Sequence, residues 1–137
     1  IEIAWGYSGL EGPLDLKWLP LSVERLYAFQ SDFYGKIDLT VLPESMVHVD
    51  LSMNKFCGDI DLSQLPSNLE RLSARHNELT GELDLENLPS SLKELNLGSN
   101  FFRGTVNLTR LPENLRYVAL SNNRLSGSIN LTKLPNR

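Results

Sequence analysis

The sequence predicts an all-β-rich, right-handed solenoid of six coils, with a parallel sheet on a concave face and short extended or 3-10 segments on a convex face. Two observations carry this. Prolines fall at Pro20, Pro43, Pro66, Pro89, Pro112 and Pro135, and glycines at Gly12, Gly35, Gly58, Gly81, Gly104 and Gly127, both at a constant step of 23 residues. A period of that length belongs to stacked supersecondary units rather than to one closed core. Within each period apolar and polar residues alternate, as half-buried strands require. The whole chain, 1–137, reads as a single repeat domain and as a segment of a longer array.

The coil over 69–91 shows each element in order. Leu72 and Ala74 point inward, while Arg71, Ser73 and Arg75 point outward. The same register places Ile3/Trp5, Leu26/Ala28, Val49/Leu51, Leu95/Leu97 and Val118/Leu120 inside, giving six stacked strands. Asn54, Asn77, Asn100 and Asn123 follow, where the chain turns inward. Their amides are expected to form a ladder that pairs backbone groups otherwise buried alone. Ser8 and Ser31 take that place in the first two coils, where the ladder is expected to be weaker. A large core filler comes two residues later: Leu10, Phe33, Phe56, Leu79, Phe102 or Leu125. In Gly81-Glu82-Leu83-Asp84-Leu85 the alternation resumes, which predicts a short second strand with Leu83 and Leu85 inside. Leu-Pro closes the coil, because proline fixes its own backbone and keeps the preceding residue extended.

The phrase L-x-x-L-x-L-x-x-N-x-L, as in Leu69-Glu70-Arg71-Leu72-Ser73-Ala74-Arg75-His76-Asn77-Glu78-Leu79, resembles the leucine-rich repeat family over essentially all 137 residues. The Leu-x-Gly-x-Ile-like tail is similar to plant-type and protist surface-protein repeats, with Asp or Asn where plant repeats usually carry Pro. The Leu-Pro-x-x-Leu entry also looks like bacterial effector repeats, which are shorter and lack the Gly-x-Leu-Asp-Leu insert. The resemblance implies ligand binding on the concave face and no catalysis.

A net charge of −4 argues against bulk-charge binding of nucleic acid. No apolar run approaches ~20 residues, so direct membrane insertion is not expected. A single cysteine, Cys57, permits no internal disulfide and reads as an incidental, partly exposed thiol. Asn107-Leu108-Thr109 and Asn130-Leu131-Thr132 are acceptor sequons for N-glycosylation in a secreted chain. The abrupt ends, with only Pro135-Asn136-Arg137 beyond the last coil phrase, lead to an expectation of self-association through uncapped edges.

The outward strand positions form columns across the concave face. The informative ones gather in coils two to four: Arg25, Tyr27, Phe29, His48, Asp50, Arg71, Arg75 and His76. Exposed aromatics among arginines are the composition of binding hot spots. They predict contact with a protein or glycan carrying some negative charge. The two histidines have no converging carboxylate or cysteine, so neither a catalytic set nor a metal site is expected. No cofactor is implied. Asp15, Asp38, Asp61 and Asp84, continued by Asn107 and Asn130, form a convex column whose carboxylates suit hydrogen bonds to the local turn backbone better than a calcium cage. Function therefore reads as non-catalytic recognition by a surface or secreted protein. The alternative is a substrate-recruiting segment of an intracellular effector or enzyme.

Overall fold

The computed structural model describes residues 1–135; Asn136 and Arg137, part of the expected 1–137 domain and of its unshielded end, lie outside the described residues. Among the described residues, twelve short strands alternate between two faces. The front sheet contains β1 (Glu2–Ala4), β3 (Arg25–Tyr27), β5 (His48–Asp50), β7 (Arg71–Ser73), β9 (Glu94–Asn96) and β11 (Tyr117–Ala119), stacked in that order. All pairs are parallel, and Glu2, Arg25, His48, Arg71, Glu94 and Tyr117 stand side by side. The sequence period is thus the rise of one coil.

Burial follows the alternation. Leu26, Val49, Leu72 and Leu95 are sealed inside the front sheet, and Ala28, Leu51, Ala74 and Leu97 form the layer beside them. In the outermost coils the equivalent residues Ile3, Trp5, Val118 and Leu120 are half-buried. Deeper in the core, Phe33 and Phe56 stack at 6.4 Å with their rings 8° from parallel, and Trp5 packs on Phe33 at 6.3 Å. A single coil cannot bury these side chains, so the hydrophobic term arises between coils.

Beyond each front strand the chain reverses through a left-handed residue. Tyr7, Gln30, Met53, His76, Ser99 and Asn122 all have φ between 48° and 57°. None is glycine, and each carries a cost of about 1–2 kcal/mol. Inter-coil hydrogen bonds hold them there: the amides of Gln30, Met53, His76 and Ser99 donate to the carbonyls of Ser52, Arg75, Gly98 and Ser121 at 2.8–3.0 Å. The fixed backbone outweighs side-chain preference, and the residue types at this position vary freely.

Asparagines follow at once. Asn77 Nδ2 donates to Leu51 O at 3.0 Å and to Ala74 O at 3.1 Å, while its Oδ1 accepts from Phe56 N at 3.0 Å. Asn54 repeats the pattern with Ala28 O and Phe33 N, Asn100 with Ala74 O and Leu79 N, and Asn123 with Leu97 O and Phe102 N. Each amide fastens its coil to the preceding one and gives the buried backbone groups of the turn their partners. Ser31 keeps only part of this, donating to Trp5 O at 3.0 Å. Ser8 Oγ merely accepts from Leu10 N at 3.3 Å.

The second set of strands corrects one expectation. These strands are β2 (Glu11–Pro13), β4 (Asp32–Gly35), β6 (Lys55–Gly58), β8 (Glu78–Leu79), β10 (Arg103–Gly104) and β12 (Arg124–Leu125). Except for β2, which passes through Gly12, they end at or before the repeating glycine, so Gly81–Leu85 is not the predicted strand. The cause is local. Gly81 has φ +88°, a left-handed conformation that ends an extended run. The aspartate after it then favours a 3-10 turn. Asp15 and Asp38 cap the turns Leu16–Trp18 and Leu39–Val41, accepting from the amides of Lys17 and Thr40 at 3.2 and 2.9 Å. The predicted facing survives: Leu83 and Leu85 are buried, and Glu82 and Asp84 are exposed.

The flank strands also pair with a different offset. Glu11 lies beside Asp32, Tyr34 beside Lys55, Cys57 beside Glu78 and Arg103 beside Arg124. Partners here are 21 residues apart instead of 23, so the flank is slipped by two residues relative to the front.

Candidate functional site

The front sheet presents its outward side chains as a grid. Along it lies a shallow depression of about 300 Å³ bordered by Tyr27, His48, Asp50, Arg71, Ser73, Glu94, Asn96 and Tyr117. Val49 and Leu72 form its floor from the inward-facing positions. Each member owes its place to the 23-residue register. Arg25, His48, Arg71, Glu94 and Tyr117 form one row, and Tyr27, Asp50, Ser73 and Asn96 the next.

The members are cross-linked by polar contacts. Tyr27 Oη and His48 Nδ1 lie 3.4 Å apart, and Arg71 Nε lies 3.5 Å from Glu94 Oε1. Asp50 accepts from the Ser52 amide at 2.9 Å and from the Ser52 hydroxyl, which also meets Ser73 Oγ at 2.7 Å. Asn96 Oδ1 accepts from Gly98 N at 3.2 Å. These contacts fix rotamers before any ligand arrives. His48 is half-buried, and its pKa is lowered first by desolvation and then by the neighbouring Arg71 and Arg25 guanidiniums; Glu70 and Glu94 oppose the shift. The imidazole is therefore neutral at pH 7 and can accept or donate a hydrogen bond without adding charge. Beside it, Lys93 Nζ bonds Glu70 Oε1 at 2.7 Å and holds the Glu70 carboxyl below its ordinary pKa.

Of the eight recognition residues expected from sequence, Tyr27, His48, Asp50 and Arg71 line the depression. Arg25 stands one strand away from His48. Phe29 is engaged elsewhere. It covers Gly6, where an added Cβ would sit 2.6 Å from Phe29 Cζ, and it meets Tyr7 edge-on at 5.3 Å. Arg75 and His76 are exposed at the strand exit, outside the depression. Ser73, Glu94, Asn96 and Tyr117 complete the border and are not among the eight. Their signal lies in the columns, where they continue the rows of Tyr27 and His48. Selection by unusual residue type passes over them.

On the back, the Asp column spends its oxygens locally. Asp61 accepts from Ser63 N at 2.8 Å and Asp84 from Glu86 N at 2.9 Å. The Ser63 bonds lower the Asp61 pKa, and the side-chain bond from Lys17 lowers that of Asp15. Asn107 and Asn130 do the same with Thr109 and Thr132, whose hydroxyls also donate to them at 2.7 Å. Both asparagines are exposed. Among the described residues, no three His, Cys, Asp or Glu side chains converge as a metal ligand set, and no helix is long and apolar enough to cross a membrane.

No protein-family model matches the sequence, and no curated protein does. Solved structures do match. The leucine-rich repeat ectodomain of the receptor kinase SOBIR1 from Arabidopsis thaliana aligns with a TM-score of 0.78 and 25% identity, over 93% of this chain and 73% of that one. A chain of the BIR3–SERK2 complex from Arabidopsis thaliana aligns with a TM-score of 0.70 and 27% identity, over 92% and 69%. A chain of the PEPR1–AtPEP1 structure aligns with a TM-score of 0.67 and 26% identity, over 86% and 19%. With its 23-residue coils, its turn asparagines and this likeness, the chain is a leucine-rich repeat solenoid similar in its coils to the ectodomain of a plant receptor kinase.

Proposed function

We propose that this chain is a non-catalytic recognition module that grips a protein partner with its front sheet, as part of a surface or secreted protein. The observation that carries this reading is the depression over β3 to β11, where ionisable and aromatic side chains are presented on a rigid sheet and cross-linked to one another. Tyr27 and Tyr117 supply contact area at low entropic cost. Arg71 and Arg25 supply guanidinium forks for an acidic group, and Asp50, Ser73 and Asn96 fix orientation. The similar structures support a protein ligand over a glycan, since two of them are complexes named for a partner, BIR3–SERK2 and PEPR1–AtPEP1. An ectodomain of a receptor kinase among them supports the surface reading, as do the two sequons on the back, away from the depression.

The test is comparative capture. Wild type and a Tyr27→Ala, Arg71→Ala double variant are immobilised, and bound proteins from the native source are quantified side by side. Partners retained by wild type and lost by the double variant, with identical melting curves, are the expected result. An unchanged partner set would overturn the front-sheet assignment. Expression through a secretory pathway checks the surface reading separately. A mass decrease on enzymatic deglycosylation, abolished in Asn107→Gln, Asn130→Gln, is expected. An unglycosylated secreted product would remove the sequons as support and restore the intracellular recruiting role as the stronger reading.

A further inference from the structure

On the flank, we propose a second ligand site, built by Arg103 and Arg124, that takes a phosphate or sulfate ester carried by a protein partner. Arg103 in β10 and Arg124 in β12 are register partners on adjacent parallel strands, so their stems leave the sheet roughly 4.8 Å apart. Both are exposed. Neither forms a salt bridge with a carboxylate among the described residues. Like charges directly across a ladder destabilise it. Elsewhere on this flank the cations are matched: Lys55 meets Asp32 at 2.6 Å and Lys36 meets Asp59 at 3.8 Å. The doubled arginine is therefore the exception on this surface.

Arg103 and Arg124 border a concavity of about 500 Å³, whose other walls are Phe101, Thr80, Gly81 and Asp59. Arg124 is held in place by Phe101, with its Cζ 4.7 Å from the ring centroid. Phe101 remains 41% exposed and offers an apolar floor beside the charge. One guanidinium fork satisfies a carboxylate, whereas two forks on neighbouring strands match the oxygens of a tetrahedral oxyanion. Thr80, on the wall, carries a hydroxyl that can serve as a neutral donor. Asp59 in the lining and Glu82 against Gly104 place negative charge nearby. They disfavour an extended polyanion and leave room for one ester next to an apolar group. An aromatic or aliphatic side chain bearing the ester meets that pattern better than a sulfated sugar.

The probe is a short phosphotyrosine peptide with capped ends, titrated into the 15N-labelled chain. Its unphosphorylated counterpart, inorganic phosphate and glucose 6-phosphate serve as the other arms. Saturable shifts are expected at the amides of Thr80, Gly81, Phe101, Arg103 and Arg124 with the phosphopeptide. Arg103→Ala and Arg124→Ala should each weaken binding about tenfold, from the loss of one charge-assisted contact. Arg103→Lys keeps the charge and loses the fork, and should fall between. Arg110→Ala, outside the concavity and beside Glu86, should bind like wild type. Shifts spread over Arg110 and Arg116, or an Arg103→Ala variant that binds normally, would overturn the site. Equal or tighter binding of inorganic phosphate or glucose 6-phosphate would overturn its assignment to a protein partner.

Discussion

The coils that turn on asparagine and those that turn on serine solve the same problem unequally. Asn54, Asn77, Asn100 and Asn123 each reach a carbonyl and an amide of the preceding coil. Ser31 reaches one carbonyl of the coil before it, and Ser8 only its own turn. An amide is both donor and acceptor at a span a hydroxyl cannot cover. The difference bears on the proposed recognition face: His48, Asp50, Arg71, Ser73, Glu94 and Asn96 stand on strands that lead directly into an asparagine turn, and Tyr27 on one that leads into Ser31.

The comparison breaks most decisively at Asn77. Asn77→Ala leaves Leu51 O and Phe56 N buried without that partner, and should cost about 3 kcal/mol in denaturant melts. Ser31→Ala removes one cross-coil bond from a half-buried site and should cost about 1 kcal/mol. Equal losses at the two positions would refute the distinction between the turns. A smaller effect belongs to the back. Asp38→Ala removes the acceptor for Thr40 N and Oγ1 at 2.9 and 2.6 Å. It should cost about 0.5–1 kcal/mol, as loss of a cap does, and should leave front-sheet binding untouched. The smallest effect is electrostatic. His48 has a lowered pKa in the folded chain, so the unfolded chain binds the proton more readily. Its contribution to stability is complete above the unfolded value of about 6.5 and is lost as pH falls from there through the depressed folded pKa. The melting temperature should decline slightly over that window, and His48→Gln should flatten the decline.

Much of this was legible in the sequence because stacking converts a period into a register. The prolines and glycines mark the step, and the front-sheet rows follow from it. What escaped is set by backbone geometry with no residue signature. The left-handed turn residue is Tyr, Gln, Met, His, Ser or Asn, because cross-coil hydrogen bonds impose φ regardless of side chain. Alternation is clearest after the repeating glycine and points to strands there, yet that glycine has a positive φ, and β4, β6, β8, β10 and β12 stop at or before it. Their two-residue slip brings Arg103 beside Arg124, whereas a 23-residue column sets Arg103 beside Ser126. For the candidate site, residue type singles out Tyr27, His48, Asp50 and Arg71, which border the depression. It misjudges the surroundings of Phe29, whose ring lies over Gly6, a residue with no side chain to keep it outward.

Recognition by the front sheet is tested by hydrogen–deuterium exchange of the chain, free and saturated with a partner recovered by the capture experiment. Added protection is expected over 25–27, 48–50, 71–73 and 94–96, with the back segments 38–41 and 82–86 unchanged. Protection confined to 38–41 and 82–86, with the front strands exchanging as in the free chain, would contradict it.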